Sequence, residues 1–232
     1  VRLGFGGLLS DEQWQRLLQA GTRRGFRGSE RIIRQGDEDD TVYLLAHGTV
    51  KVSLLRSDGI ESLVAVRGPG EALGEMAALS GLPRTVTVSV LTGPCHTRAL
   101  SGERFRRIVH DMGLDRVLWE HVVRRQQESE AVRTETASLT SRERLGEAMI
   151  RLSFPLHGVS AGAPDARELL VTQRELGVAV GRSLSWVQGE IRKLRDEGVI
   201  ATKRGSIVIH SEERLRKAVE SSTNSDNRRI VE

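Results

Sequence analysis

Between Arg31 and Leu100 the chain alternates short apolar runs with turn residues. VYLLA ends at His47-Gly48, TVKVSLLR at Ser57-Asp58-Gly59, and IESLVAV at Gly68-Pro69-Gly70. TVTVSVLT then places Val86, Val88 and Val90 on one side of a strand. Period-two runs with turn chemistry at this spacing predict an antiparallel sandwich or roll. One stretch interrupts it. GEMAALSGLPRT, residues 74–85, reads as a short helical turn, a tight Gly-Leu-Pro, then an arginine and a threonine before the next strand. A helix N-terminus, a carboxylate, a guanidinium and a hydroxyl so close together suit a small anion that carries a sugar.

Helical periodicity governs both flanks. SDEQWQRLLQA, residues 10–20, predicts a capped helix with Trp14, Leu17 and Leu18 on one face. ERFRRIVH predicts another, and residues 111–139 form one long segment with a thin apolar set of Leu114, Leu118, Val122 and Val132. Such a helix buries little by itself and needs a partner or solvent along most of its length. An amphipathic helix is predicted from Ser141 to Phe154, with Leu145, Ala148, Met149 and Leu152 inward. The loop HGVSAGAPDAR follows it, and the polar tail ESSTNSDNRRIVE reads as disordered.

TQRELGVAVGRSLSWVQGEIRKL, residues 172–194, predicts two helices about a glycine turn. Thr172 and Glu175 have capping-box spacing, Gly177 is small where the helices cross, and Val187, Ile191 and Leu194 form the inner face of the second helix. This is the spacing of a helix-turn-helix, although two amphipathic helices without DNA would read alike. GVIATKRGSIVIH adds two short strands with Lys203, Arg204 and Gly205 at the tip, a basic wing suited to phosphate contact.

Composition changes this picture little. At 232 residues and 38% apolar content the chain can build one large or two modest cores. The apolar runs are too short to span a bilayer, no signal segment is apparent, and one cysteine excludes an internal disulfide; a cytoplasmic protein is expected. The net charge of +4 is carried by residues 142–217, which hold 14 Lys/Arg against 10 Asp/Glu. That local excess fits nucleic acid without requiring it.

The chain resembles the cyclic-AMP receptor (catabolite activator) branch of the Crp–Fnr regulators. The likeness rests on IIRQGDEDDTVYLLAHGTVKV as the roll entry, residues 74–85 as the phosphate-binding cassette, the long helix from Arg124 to Leu145, and residues 172–200. It implies a cyclic nucleotide, cyclic AMP or cyclic GMP, as effector. Gly74, Glu75, Met76, Arg84 and Thr85 would then meet the ligand: backbone N–H groups at Gly74 and Glu75, the Glu75 carboxylate on a ribose 2′-OH, Arg84 on the cyclic phosphate, Thr85 through its hydroxyl. Arg125 stands where the family braces the glutamate, and Ser129 where it meets the purine edge. Glu130 replaces a second hydroxyl residue, and Gln126, Glu128, Arg133 and Thr136 occupy places that are commonly apolar. Ligand at Ser129 is therefore expected to order a dimer seam that is marginal alone. On the recognition helix Leu184, Ser185 and Gly189 depart from the family's best-known member. Leu184, Ser185, Gln188 and Arg192 are the candidates for base edges or nearby phosphates, and Thr172, Gln173, Ser183, Lys203 and Arg204 for phosphates. Trp186 is read as a core residue, with packing against backbone as the alternative.

The histidines at 47, 96, 110, 121, 157 and 210 look scattered, without metal spacing. Cys95 and His96 are neighbours on a strand and point to opposite faces, which disfavours a shared haem or metal. No catalytic triad, paired-carboxylate cleft or P-loop is apparent, so no enzyme is expected. The resulting expectation is an α+β protein: an N-terminal antiparallel β-roll effector domain at 1–110, a dimerisation helix and hinge at 111–139, a C-terminal winged helix-turn-helix at 140–218 and a disordered tail at 219–232. It would act as a homodimer on a pseudo-palindromic DNA operator, with RNA polymerase as a partner if it activates, and without membrane or metal. The alternatives are a ligand-independent DNA-binding regulator of the same family and a nucleotide-binding module that recognises protein.

Overall fold

The computed structural model describes residues 2–156 and 165–221. The chain divides into two compact units, Val1–Glu130 and Ala131–Glu232.

The first unit opens with α1 (Gly4–Gly7) and α2 (Asp11–Ala20). The Ser10 hydroxyl accepts from the Gln13 N–H and the Gln13 side chain accepts from the Ser10 N–H, so α2 starts on a complete capping box. Strands β1 (Thr22–Phe26), β2 (Arg31–Ile33), β3 (Val42–Leu55), β4 (Glu61–Arg67) and β5 (Ala72–Leu73) precede α3 (Glu75–Ser80), and β6 (Thr87–Leu100) follows it. All pair antiparallel, in the order β1-β6-β3-β4, with β2 on β6 and β5 on β3. The roll expected from the sequence is therefore present.

Its strands are longer than the turn signals suggested. His47-Gly48 bends β3 instead of ending it. Gly48 has φ +92°, and a Cβ there would lie 2.8 Å from the Cα of Cys95, so the chain continues through a bulge that only glycine fits. One apolar cluster gathers Phe5, Trp14, Leu17, Leu44 and Phe105 under the helices. Another gathers Ile33, Leu45, Val50, Val90 and Cys95 inside the roll. Strand β1, which the sequence reading had not marked, closes the sheet edge.

Two helices complete the unit: α4 (Gly102–Asp111) and α5 (Asp115–Ser138), the latter crossing the boundary after Glu130. The long helix starts at Asp115 and not at 111, because Gly113 at φ +65° makes a turn between α4 and α5.

The second unit contains α6 (Ser141–Arg151), β7 (Ser153–Pro155), β8 (Arg167–Leu169), α7 (Gln173–Val180), α8 (Leu184–Asp196), β9 (Ile200–Lys203), β10 (Ser206–Ile209) and α9 (Glu212–Ser221). Helix α6 was expected to reach Phe154. It stops at Arg151 because Ser153–Pro155 pair with Arg167–Leu169, placing β7 at the edge of a four-stranded sheet ordered β7-β8-β10-β9. The predicted basic hairpin is β9–β10. Helix α9 was not anticipated. It buries Leu215 and Val219 and lays Val219 over Gly146, where an added Cβ would meet the valine at 3.0 Å. Positions 219–221, assigned to a disordered tail, are thus helical; the rest of the tail and most of the loop after Leu156 lie outside the described residues.

Helix α7 begins as predicted. The Thr172 hydroxyl accepts from the Glu175 N–H at 3.2 Å, and the Glu175 carboxylate accepts from the Thr172 N–H at 2.8 Å. Thr172→Ala is expected to lower the stability of this unit by about 1 kcal/mol, read as a lower denaturant midpoint with an unchanged slope.

Candidate effector cassette and nucleic-acid interface

Leu73 ends β5, and Gly74 at φ +88° turns the chain into α3 as its N-cap. A Cβ at Gly74 would collide with the Arg84 guanidinium and lie 2.9 Å from the Thr41 carbonyl, so this position is closed to larger residues. The Arg84 side chain is 2% exposed. It donates to the Gly74 carbonyl at 2.8 Å, to the Thr41 carbonyl at 2.6 Å and to Asp39 Oδ2 at 2.9 Å. Partial burial raises the Asp39 carboxyl, but hydrogen bonds from Thr41 and Arg84 outweigh it and hold the group below the ordinary carboxylate range. Arg84 and Gly74 are therefore joined directly. Thr85 is exposed beside them, and Met76 is 37% exposed on α3.

Glu75 is buried at the start of α3. Facing it is His121 on α5, whose Nε2 lies 3.4 Å from Glu75 Oε1. Burial alone would raise the Glu75 carboxyl; the approach of His121 and the charge of Arg125 overcome it and lower the group. Arg125, also on α5, pairs by contact with Glu71 and at 3.3 Å with Glu128. Glu128 in turn accepts from Arg67. An ionic lattice of Arg67, Glu71, Arg125 and Glu128 thus ties the chain before the cassette to α5. Glu128 serves that lattice and not an apolar seam. Ser129 and Glu130 are exposed, and Gln126 donates to Glu130 at 3.0 Å along the helix.

Nothing local in the sequence assigns His121, Glu71 or Arg67 to the cassette. One signal was available. His121 precedes Arg125 by one helical turn and so shares its face. The histidines are also less scattered than expected, since His47 faces His96 across β3 and β6 with ring centroids 6.0 Å apart. Among the described residues no group of three or more His, Cys, Asp or Glu could hold a metal. Cys95 is buried while His96 is exposed, as opposite faces require, and burial pushes the Cys95 thiol up to about 11.

In the second unit α7 and α8 meet at Gly177. Its Cβ would lie 2.7 Å from the Arg182 carbonyl and 3.6 Å from Val187. Gly181 at φ +69° caps α7, and the Ser183 hydroxyl accepts from the Trp186 N–H to start α8. Val187, Ile191 and Leu194 are buried. Ser183, Leu184, Ser185, Gln188 and Arg192 are exposed, as are Thr172, Lys203 and Arg204, while Gln173 is half-buried. The Thr172 hydroxyl is engaged in its cap. Trp186 is half-buried rather than core: the Arg182 guanidinium lies 5.7 Å from its ring centroid, and Arg182 Nε donates to Ser141 at 2.7 Å. The indole packs on the turn between the two helices because the inner face is already filled by Val187 and Ile191.

Comparison with known proteins covers both units. The cyclic nucleotide-binding domain family matches residues 23–111, and the Crp-like helix-turn-helix domain family matches residues 143–218. The cAMP-activated global transcriptional regulator CRP of Salmonella typhimurium is 24% identical over 181 residues, which are 77% of this chain and 85% of that protein. The cAMP-dependent protein kinase regulatory subunit of Yarrowia lipolytica is 36% identical over 105 residues, 45% of this chain but only 26% of the subunit's own length. In three dimensions the c-di-GMP responsive global regulator CLP of Xanthomonas campestris superposes with a TM-score of 0.69 at 22% identity, over 87% of this chain and 100% of that one. No helix among the described residues is long and apolar enough to cross a membrane. With a cyclic nucleotide-binding domain followed by a Crp-type helix-turn-helix, the chain belongs to the CRP branch of the Crp–Fnr superfamily of DNA-binding transcription regulators.

Proposed function

We propose that this protein is a homodimeric cytoplasmic regulator whose DNA affinity is set by a cyclic nucleotide, cyclic AMP before cyclic GMP, at the cassette of residues 74–85. The observation that carries this reading is the buried Arg84 guanidinium lodged against Gly74, one residue from the buried carboxylate of Glu75. A cyclic phosphate would take over the charge that Asp39 now balances, and Glu75 would accept from the ribose 2′-OH. Thr85, Met76 and Ser129 remain candidates at the edge of the ligand. Arg125 would act through its charge on Glu75 and its lattice with Glu71 and Glu128.

Dimerisation is supported by Trp119 and Val123, which are exposed one turn apart on α5 and would be covered by a second copy. Two α8 helices would then enter successive major grooves roughly 34 Å apart on a pseudo-palindrome. Leu184, Ser185, Gln188 and Arg192 would read or flank bases. Ser183, Gln173, Lys203, Arg204 and the N-terminus of α7 at Thr172 would hold phosphates. As an activator it would also engage RNA polymerase. The nucleotide shifts the balance between a binding-competent and an incompetent form only by its difference in affinity for the two.

The test is calorimetric titration with cyclic AMP and then cyclic GMP, paired with selection of an operator from random duplexes. Saturable heat with either nucleotide and tighter operator binding in its presence support the reading; absence of heat with both refutes the effector. Operator affinity is expected to fall about 1,000-fold or more between 50 and 200 mM salt if six or more phosphates are neutralised, and a flat salt response would contradict DNA binding. A second reading, regulation without ligand, draws on Asp39 as a built-in counter-ion for Arg84. It predicts equal operator affinity with and without nucleotide.

A further inference from the structure

We infer that His121 is the residue that positions Glu75 for the ribose hydroxyl, making it a determinant of ribose over deoxyribose recognition. This deepens the cyclic-nucleotide reading and rests on it.

Glu75 is 5% exposed, and a carboxylate so far from water requires a cation or donors beside it. Arg125, the expected brace, is committed elsewhere: it contacts Glu71 through Nη2 and reaches Glu128 through Nη1. What faces Glu75 is His121, 3% exposed, with Nε2 3.4 Å from Oε1. That nitrogen makes no aligned hydrogen bond to any described residue. A buried ring nitrogen that faces a carboxylate without an aligned hydrogen bond is uncommon in a native structure and needs a reason. Here the reason is geometric. The ring is held against Phe5, with centroids 5.7 Å apart and planes at 54°, and so points at the carboxylate from a fixed place. A donor that is close but out of line leaves the carboxylate free to rotate. When a hydroxyl takes one carboxylate oxygen, the other can swing into line with Nε2, so the ligand hydroxyl and His121 are satisfied together.

The consequence is a selectivity that a merely structural histidine would not give. The test compares cyclic AMP with 2′-deoxy cyclic AMP by calorimetry in the full chain and in three variants. His121→Phe keeps the contact with Phe5 and removes the nitrogen, His121→Met removes it with a different shape, and His121→Gln restores an N–H donor. The unsubstituted chain is expected to prefer the ribose form by about tenfold or more, since loss of the hydroxyl leaves a buried acceptor unpaired. Phe and Met should bring the ratio close to one by weakening the ribose form while leaving the deoxy form unchanged; Gln should recover part of it. An unchanged ratio in whichever of the Phe and Met variants folds would overturn the role of His121 and leave the nucleotide reading intact. No binding of either compound by the unsubstituted chain would overturn both.

Discussion

Arg84→Ala is expected to carry cyclic-nucleotide binding toward the edge of a calorimeter's range, weakening it by about 30-fold or more. Removing one side of a desolvated charge pair typically costs about 2–5 kcal/mol, and 1.4 kcal/mol is a factor of ten in affinity. The phosphate would lose its guanidinium while Asp39 remained nearby as a repelling charge. The same change strips donors from the carbonyls of Gly74 and Thr41, and each buried acceptor left unpaired costs about 1–3 kcal/mol. The Asp37–Thr41 loop and the cassette should therefore loosen, seen as faster amide exchange confined to residues 37–41 and 74–80. Arg84→Lys separates the two effects. It keeps the charge and loses the planar fork, so the fold should recover more than the affinity. Unchanged nucleotide affinity in the alanine variant would end the assignment of the cassette. Unchanged operator affinity alongside lost nucleotide binding would select regulation without ligand.

Gly177→Val is expected to have the second large effect, on DNA alone. The turn between α7 and α8 folds back on this glycine: the Arg182 N–H donates to its carbonyl at 2.8 Å, and the Arg182 carbonyl would lie 2.7 Å from a new Cβ. The obstacle is backbone and cannot rotate away. An alanine gains about 1 kcal/mol of helix propensity over glycine, but overpacking costs about 1–3 kcal/mol, and valine adds two further methyls to a Cβ that already lies 3.6 Å from Val187. The turn must shift, and with it the Ser183 cap and the direction of α8. Specific operator binding, followed by fluorescence anisotropy, should fall by about tenfold or more, since the base-reading side chains are placed only by that crossing. Nucleotide titration of the same variant should be unchanged, because the cassette lies in the other unit. Operator affinity equal to that of the unsubstituted chain would mean that α8 is not the DNA-reading element.

These two sites differ in how far the amino-acid order exposed them. The helix-turn-helix was legible because its determinants are local. A capping box four residues long, a glycine at a fixed offset and apolar positions at helical period need only a few turns of chain to be recognised. The cassette was legible in part. Gly74, Glu75 and Arg84 stand out in twelve residues, yet their partners do not: Asp39 is 45 residues from Arg84, and His121 is 46 from Glu75. Where local signals existed they sometimes misled. His47-Gly48 looks like a strand end, but cross-strand pairing with β6 carries β3 through it as a bulged fourteen-residue strand. Trp186, read as core with backbone packing as the alternative, lies half-buried beside Arg182, while the smaller Val187 and Ile191 fill the inner face.

Neighbouring residues set the order of roll, long helix and winged helix-turn-helix, the glycines that left-handed or crowded backbone demands, and the caps that start α2 and α7. These follow from the steric and hydrogen-bonding rules of a few consecutive residues. Tertiary structure alone decided that Arg125 belongs to Glu71 and Glu128, that Arg84 rests against Asp39, and that His121 is the group facing Glu75. Arg125 and Glu128 share one helical turn, but the other pairings join groups far apart in the chain. A buried charge takes whichever opposite charge the packing brings within reach, and that choice is made only once the helices lie on the sheet.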